Sequence, residues 1–165
     1  MPKRPWNRVN LPVYSISSKD GMGNFNMHII TYASQISMQP KRFVCGIFEG
    51  TKTLELVLKQ PTFVLQLLSD QQYRLVDLLG KKSGNNIDKI ARLHKRQLLT
   101  EWNAFPILKD ALAVMLLDAS EMNGNKFLEE GDHRIFLCNV LDYANLNDGN
   151  TLTLDVLRQH KLIRI

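Results

Sequence analysis

Cysteine is scarce in this chain, with two among 165 residues. Cys45 and Cys138 each lie in an apolar run, with no CxxC pair and no neighbouring Cys/His cluster. That argues against a structural zinc site and a disulfide scaffold, and reads both as buried free thiols of a cytosolic protein. No run of about 18 apolar residues occurs, which excludes a membrane-spanning helix. The basic start MPKRPWNR lacks the apolar stretch that a secretory leader needs after it. GxSxG, HExxH and EF-hand patterns are missing too, so no nucleophile elbow or metalloprotease centre is expected. There is also no long basic block with interleaved aromatics. Lys3, Arg4, Lys81, Lys82, Arg92, Lys95, Arg96, Arg158, Lys161 and Arg164 are scattered, so a net charge of +5 does not point to nucleic acid.

What is present suits a globular protein. Apolar residues make up 44% and charged residues 22%, and a chain of this length forms one domain, residues 1–165, without a staple. One stretch stands apart. Gly21–Pro40 contains no Asp, Glu, Lys or Arg, yet it carries Asn24, Asn26, His28, Thr31, Ser34, Gln35 and Ser37. A core segment would hold fewer such groups, because each buried donor or acceptor needs a partner. A surface loop would be charged. Neutral donors and acceptors in this density suit the wall of a flat, polar-edged ligand site.

The element pattern is dominated by strands. Pro12–Ser18 reads as extended, followed by a Lys19-Asp20-Gly21 turn, and Ile29–Tyr32 begins another extended element. Phe43–Phe48 is a short apolar run, as for a strand buried on both faces. Thr53 reads as an N-cap, with Leu54, Val57 and Leu58 on one helical face and Glu55 in the first turn. Thr62–Leu68 is strand-like. Ser69 with Gln72 forms a capping box opening a helix that Gly80 ends. Asn86–Arg96 reads as an amphipathic helix, Ala111–Leu117 and Arg134–Tyr143 as strands, and Leu152–Lys161 as a closing helix. The elements do not alternate as βαβ units, which disfavours a doubly wound sheet. The pattern predicts a mostly β fold, an antiparallel split β-barrel with short helical insertions.

Gly21-x-Gly23-x-x-Asn26 is a poor dinucleotide fingerprint. No periodic helix follows, and Glu49 is too distant to serve as the acid about 20 residues on; a hairpin turn is the expectation. Thr51, Lys52 and Thr53 combine hydroxyls, loop N–H groups and an ammonium as a phosphate site does. His133 opens a strand, where it could bond or stack on a ligand; Asp132 adjoins it, although neighbouring strand residues point to opposite faces. Asp118, Glu121, Glu129 and Glu130 fit no ligand spacing and read as a solvated hairpin loop.

Asn24–Pro40, NFNMHIITYASQISMQP, resembles the signature of the flavin reductase–like family, with an Asn, a Thr followed by an aromatic, then Ser and Pro. Tyr32 stands where many members carry Trp. Gly50–Thr53, Leu75–Gly84, Pro106–Ala113 and Gly131-Asp132-His133 follow in the family's order, so the resemblance spans roughly residues 10–160. It implies an FMN-binding split barrel, a cytoplasmic homodimer with FMN near the subunit interface, and hydride transfer from NADH or NADPH to flavin without a protein acid or base. It implies that Asn26, Thr31, Tyr32, Ala33 and Ser34 contact the ring and ribityl chain, that Lys52 and Thr53 hold the phosphate with Ser37, Lys81 and Ser83, and that His133 lines the nicotinamide side. It also implies an oxygenase or redox-protein partner, with an FMN-bound electron carrier of the flavoredoxin kind as the alternative activity.

Overall fold

The computed structural model describes residues 4–120 and 127–164. Ten strands and four short α-helices are found among them. The strands are β1 (Tyr14–Lys19), β2 (Phe25–Ile30), β3 (Ala33–Ser37), β4 (Arg42–Phe48), β5 (Thr62–Leu67), β6 (Leu99–Trp102), β7 (Phe105–Leu108), β8 (Ala113–Asp118), β9 (Phe127–Glu130) and β10 (His133–Asn145). The helices are α1 (Lys52–Lys59), α2 (Val76–Gly80), α3 (Lys89–Lys95) and α4 (Leu154–Gln159). Eight strands form one antiparallel sheet in the order β2-β1-β5-β8-β10-β4-β3, with β9 alongside β10; β6 and β7 form a separate hairpin.

The two edge strands of that path, β2 and β3, are consecutive in the chain and linked only by Thr31 and Tyr32. Two residues span less than about 12 Å even when extended. The sheet therefore curls until its edges nearly meet, a half-barrel as expected for the split-barrel reading. Its interior is filled by Ile16, Ile30, Cys45, Ile47, Phe63, Leu65, Leu117, Phe136 and Cys138. A second core, around Met27, Leu68, Leu79, Leu93, Leu152 and Leu157, joins the outside of the barrel to α2, α3 and α4.

Several local expectations shift. In β4 only Cys45 and Ile47 are buried, while Phe48 is exposed; the strand alternates because one face meets the barrel interior and the other a cleft. The cap of α1 is Thr51, whose hydroxyl accepts from Leu54 N–H at 3.2 Å. Thr53 instead lies buried inside the helix. Leu58 is exposed and Leu56 is buried in its place. The Ser69/Gln72 capping box forms as read, but it opens a 3-10 turn (Asp70–Leu75) that leads into α2. Gly21 and Gly23 adopt φ of 79° and 92° in the β1–β2 turn, a hairpin role that glycine fills without strain. Glu129 and Glu130 belong to β9 rather than a loop, Asp118 caps a turn by accepting from Ser120 N–H and Oγ–H, and Glu121 lies outside the described residues.

Candidate functional site: an apolar cleft joined to a lysine-lined lobe

Where the curled sheet meets α2, α4 and the N-terminal segment, an open cleft of about 790 Å³ is formed. One wall carries Ile29, Ile30, Thr31 and Tyr32 from the end of β2 and the link that follows it. Gly46 and Phe48 of β4 and His133 of β10 extend it. The opposite wall comes from both ends of the chain: Trp6, Val9 and Leu11, with Leu154 and Leu157 of α4 and Ile163. Those ends are tied together. Leu154 N–H donates to Leu11 O at 2.9 Å, and the Arg158 guanidinium donates to Asn7 O at 3.1 Å.

An aromatic group frames the mouth. The His133 ring lies 4.9 Å from Tyr32 and 5.2 Å, edge-on, from Phe48. His133 Nδ1 and Asp132 Oδ1 are 2.6 Å apart. The strand begins at His133 and Asp132 sits in the preceding turn, so the alternation that would have separated them does not apply. The hydrogen bond from His133 holds the Asp132 carboxyl below its ordinary pKa.

A second, smaller lobe of about 260 Å³ adjoins the first, sharing His28, Phe48, Gly80 and Lys81 with it. Most of its lining residues are polar: Glu49, paired with Arg134 at 2.7 Å, Gly50, Thr51, Lys52 and Thr53 before and at the start of α1, and Lys81, Lys82, Ser83, Gly84 and Lys89 beyond α2. Lys52 and Lys81 pair with Glu55 at 3.7 Å and Asp77 at 2.8 Å on the exposed side. Such pairs are weak and readily exchanged for a better anion. Free N–H groups at the start of α1 add positive potential. Gly84 packs so closely that a Cβ there would clash with Asn26 Oδ1 and lie 2.9 Å from Lys52 Cβ. Only glycine lets this loop lie against β2.

Among the residues singled out in the sequence, Thr31, Tyr32, His133 and Lys81 line the apolar cleft, and Asn26, Lys52, Thr53, Lys81 and Ser83 line the lobe. Asn26 is buried and its Nδ2 donates to Thr53 Oγ1 at 3.0 Å, pinning β2 to α1. Ala33, Ser34 and Ser37 line neither cavity. Ala33 packs against the barrel core, Ser34 Oγ donates to Gln35 O, and Ser37 pairs with Arg42 beyond a bulge.

Two lining residues were not singled out as site residues. Lys89, which lines the lobe, is 2% exposed, and its Nζ donates to Leu79 O at 2.8 Å. Burial pulls its pKa down to about 8. His28 lines both cavities; burial, helped by the Lys89 charge, pulls its pKa down to about 4, so it is neutral at pH 7. Its Nδ1 is enclosed and has no hydrogen-bond partner. His28 was visible as one of the neutral hydrogen-bonding residues of Gly21–Pro40; nothing in the sequence marked Lys89. Among the described residues no His/Cys/Asp/Glu group suited to a metal ion occurs, and no helix is long and apolar enough to cross a membrane.

The arrangement is a half-barrel in which an apolar, aromatic-framed cleft opens into a lobe lined by lysines. The chain belongs to the family described as flavin reductase like domain, whose sequence model matches residues 6–160. It is 29% identical over 150 residues to the high molecular weight rubredoxin of Moorella thermoacetica, covering 90% of this chain and 62% of that protein; the chain thus spans less than two thirds of that relative's length. Among solved structures it resembles the FMN-binding protein of Thermus thermophilus, with a TM-score of 0.71, 22% identity, and 88% and 77% of the two chains covered. It also resembles the flavin reductase of styrene monooxygenase from Pseudomonas putida S12, with a TM-score of 0.69, 15% identity, and 88% and 86% covered. These structural likenesses bear on the fold.

Proposed function

We propose that residues 1–165 form one FMN-binding unit that transfers a hydride from NADH or NADPH to flavin. The observation that carries this reading is the junction of an apolar, aromatic-framed cleft with a lysine-lined lobe, sharing His28, Phe48, Gly80 and Lys81. FMN has the matching polarity, a flat ring joined by a polyol chain to a phosphate. When bound, FMN supplies the redox chemistry, accepting hydride at its ring from nicotinamide C4. The chain's own residues orient and shield. Thr31 and Tyr32 border the ring. Lys52, Lys81, Lys82 and Lys89, with Ser83 and the N–H groups around Thr51–Thr53, hold the phosphate by charge and hydrogen bonds. Asn26 and Thr53 keep α1 against β2 and so fix that lobe. His133, oriented by Asp132, borders the side from which nicotinamide approaches. Ala33, Ser34 and Ser37 fall outside the contact set of a single copy.

The partner in this reading is a second copy. Tyr32, Ile36 and Met38 on or beside β3, and Leu141 and Tyr143 on β10, are exposed large apolar residues, an arrangement that suits a protein interface near the cleft mouth. Sedimentation at micromolar concentration tests the homodimer: a monomer removes it. An oxygenase or one-electron redox protein takes the electrons onward. The rubredoxin name of the relative favours a second reading, an FMN-bound electron carrier.

The test is the visible spectrum of the protein mixed with FMN and desalted. Co-eluting flavin with shifted bands supports the site, and colourless protein rejects both readings. Anaerobic NADH or NADPH then separates them. Bleaching, with steady turnover on added free flavin, supports the reductase; bound flavin that neither nucleotide bleaches supports the carrier.

A further inference from the structure

At the junction of the two cavities lies a polar group that the fold leaves unanswered. In β2, alternation places Asn26, His28 and Ile30 on one face. Asn26 is bonded to Thr53 and Ile30 is in the barrel core. His28, between them, has Nδ1 enclosed without a partner. A neutral imidazole carries one N–H and one lone pair. An enclosed N–H with no acceptor costs more than an enclosed lone pair with no donor, since orphaned donors are the rarer defect in folded proteins. The proton therefore belongs on Nε2. The ring lines both cavities, so with Nδ1 sealed in protein, Nε2–H is the edge that meets the junction.

We infer that His28 is a positioning residue whose Nε2–H donates to a ribityl hydroxyl of the bound flavin, fixing the depth of the ring in the cleft. This rests on the FMN reading above. A ligand with its ring among Tyr32, Phe48 and His133 and its phosphate among the lysines must pass its polyol chain through the neck that His28, Phe48, Gly80 and Lys81 share. Of these four only His28 and Lys81 offer a side-chain hydrogen bond, and Lys81 belongs to the phosphate in the reading above. A neutral donor suits a hydroxyl; a charged one would compete for the phosphate.

The experiment compares three ligands that add one part at a time: lumiflavin, with the ring alone; riboflavin, with ring and ribityl chain; and FMN, with the phosphate as well. Dissociation constants are measured for the wild type, His28→Leu and His28→Gln. His28→Leu is expected to weaken riboflavin and FMN by the same factor, about tenfold, and to leave lumiflavin unchanged. His28→Gln, which keeps a donor, recovers most of that loss. An equal loss for all three ligands would assign His28 to the ring, a loss confined to FMN would assign it to the phosphate, and no loss would leave it without a ligand role. Each of these overturns the inference while the FMN reading stands. Wild-type protein that binds none of the three removes both. If His28→Leu does not fold, wild-type protein labelled with 15N-histidine decides: the His28 Nε2 proton is protected from exchange with riboflavin and FMN but not with lumiflavin. A proton that exchanges equally in all three complexes refutes the assignment.

Discussion

The apolar cleft and the lysine-lined lobe meet at His28 and Phe48, yet they are built in opposite ways. The lobe is assembled from short local segments: a hydroxyl-bearing turn, the first residues of α1, and the loop after α2. The apolar cleft is assembled at long range, with β2 and β4 facing residues from the two ends of the chain. The charges that a locally built site places on an exposed loop, Lys81 and Lys82 here, can be altered without loosening the fold. A cleft whose wall is also core cannot.

The largest expected effect tests that contrast. Leu157 is 2% exposed, belongs to the outer core and also lines the apolar cleft. Leu157→Ala should cost about 2–5 kcal/mol of stability, read as a lowered denaturation midpoint with unchanged slope, and should weaken ring-only and full-length flavins alike. Replacement of Lys82, on the lobe, should leave the midpoint within about 0.5 kcal/mol and reduce only FMN affinity. Equal midpoint shifts for the two variants would erase the distinction between the clefts.

The junction residue gives the next effect. His28 has its pKa lowered to about 4 by burial and by Lys89, against about 6.5 when unfolded. Between those values the unfolded chain binds a proton that the native protein does not. The His28 contribution is therefore fully present above pH 6.5 and is lost as pH falls toward 4. The loss should reach the order of 2–3 kcal/mol, seen as the part of the acid drop in Tm that His28→Leu abolishes. Parallel wild-type and variant curves from pH 7 to 4 would mean that His28 is not the buried titrating group.

The same contrast explains what could be read from the sequence. The curled antiparallel sheet was legible because β1, β4, β5, β8 and β10 carry short apolar runs broken by turn residues. The hydroxyl–lysine turn at residues 51–53 was legible because its chemistry is contiguous. The cap was misplaced by two residues, at Thr53, because both threonines fit the pattern; only the three-dimensional contact of Thr53 with Asn26 separates them. Trp6, Leu11, Leu154 and Leu157 could not be assigned to a site, since nothing local states that the chain's ends meet. Lys89 went unmarked for a related reason. Solvent is the default for a helix lysine, and its burial follows from the contact with Leu79 O in another helix. The two halves of Gly21–Pro40 diverge: Asn26 to Tyr32 supply cavity-lining residues, while Ala33, Ser34 and Ser37 continue into the β3 edge away from both cavities.

Gly84 tests how firmly the lobe is closed. The Cβ of Gly84→Ala would clash with Asn26 Oδ1 and meet Asn26 Cγ at 2.9 Å. Asn26 is itself held by Thr53, so it cannot swing away without releasing α1. The expected cost is about 1–3 kcal/mol, with FMN affinity reduced more than riboflavin affinity. An unchanged Tm would show that the 81–86 loop shifts freely, and the lobe would then be a loose anion trap and not a fixed site.

The smallest effect isolates the helix end. Thr51 Oγ1 accepts from Leu54 N–H at 3.2 Å and donates to Phe48 O at 2.9 Å, so one hydroxyl caps α1 and ties it to the strand that carries Phe48 to the cleft. Thr51→Ala should cost about 1 kcal/mol, whereas Thr51→Ser keeps the hydroxyl and should cost a few tenths. Because Thr51, Lys52 and Thr53 at the start of α1 line the lobe, loss of the cap should weaken FMN and leave lumiflavin binding unchanged. Phe48 complicates that division: its carbonyl loses a donor in Thr51→Ala, and its ring borders both cavities. If lumiflavin binding falls together with FMN binding, the turn at Thr51 is shaping the apolar cleft as well, and the two regions are one mechanical unit despite their different origins in the sequence.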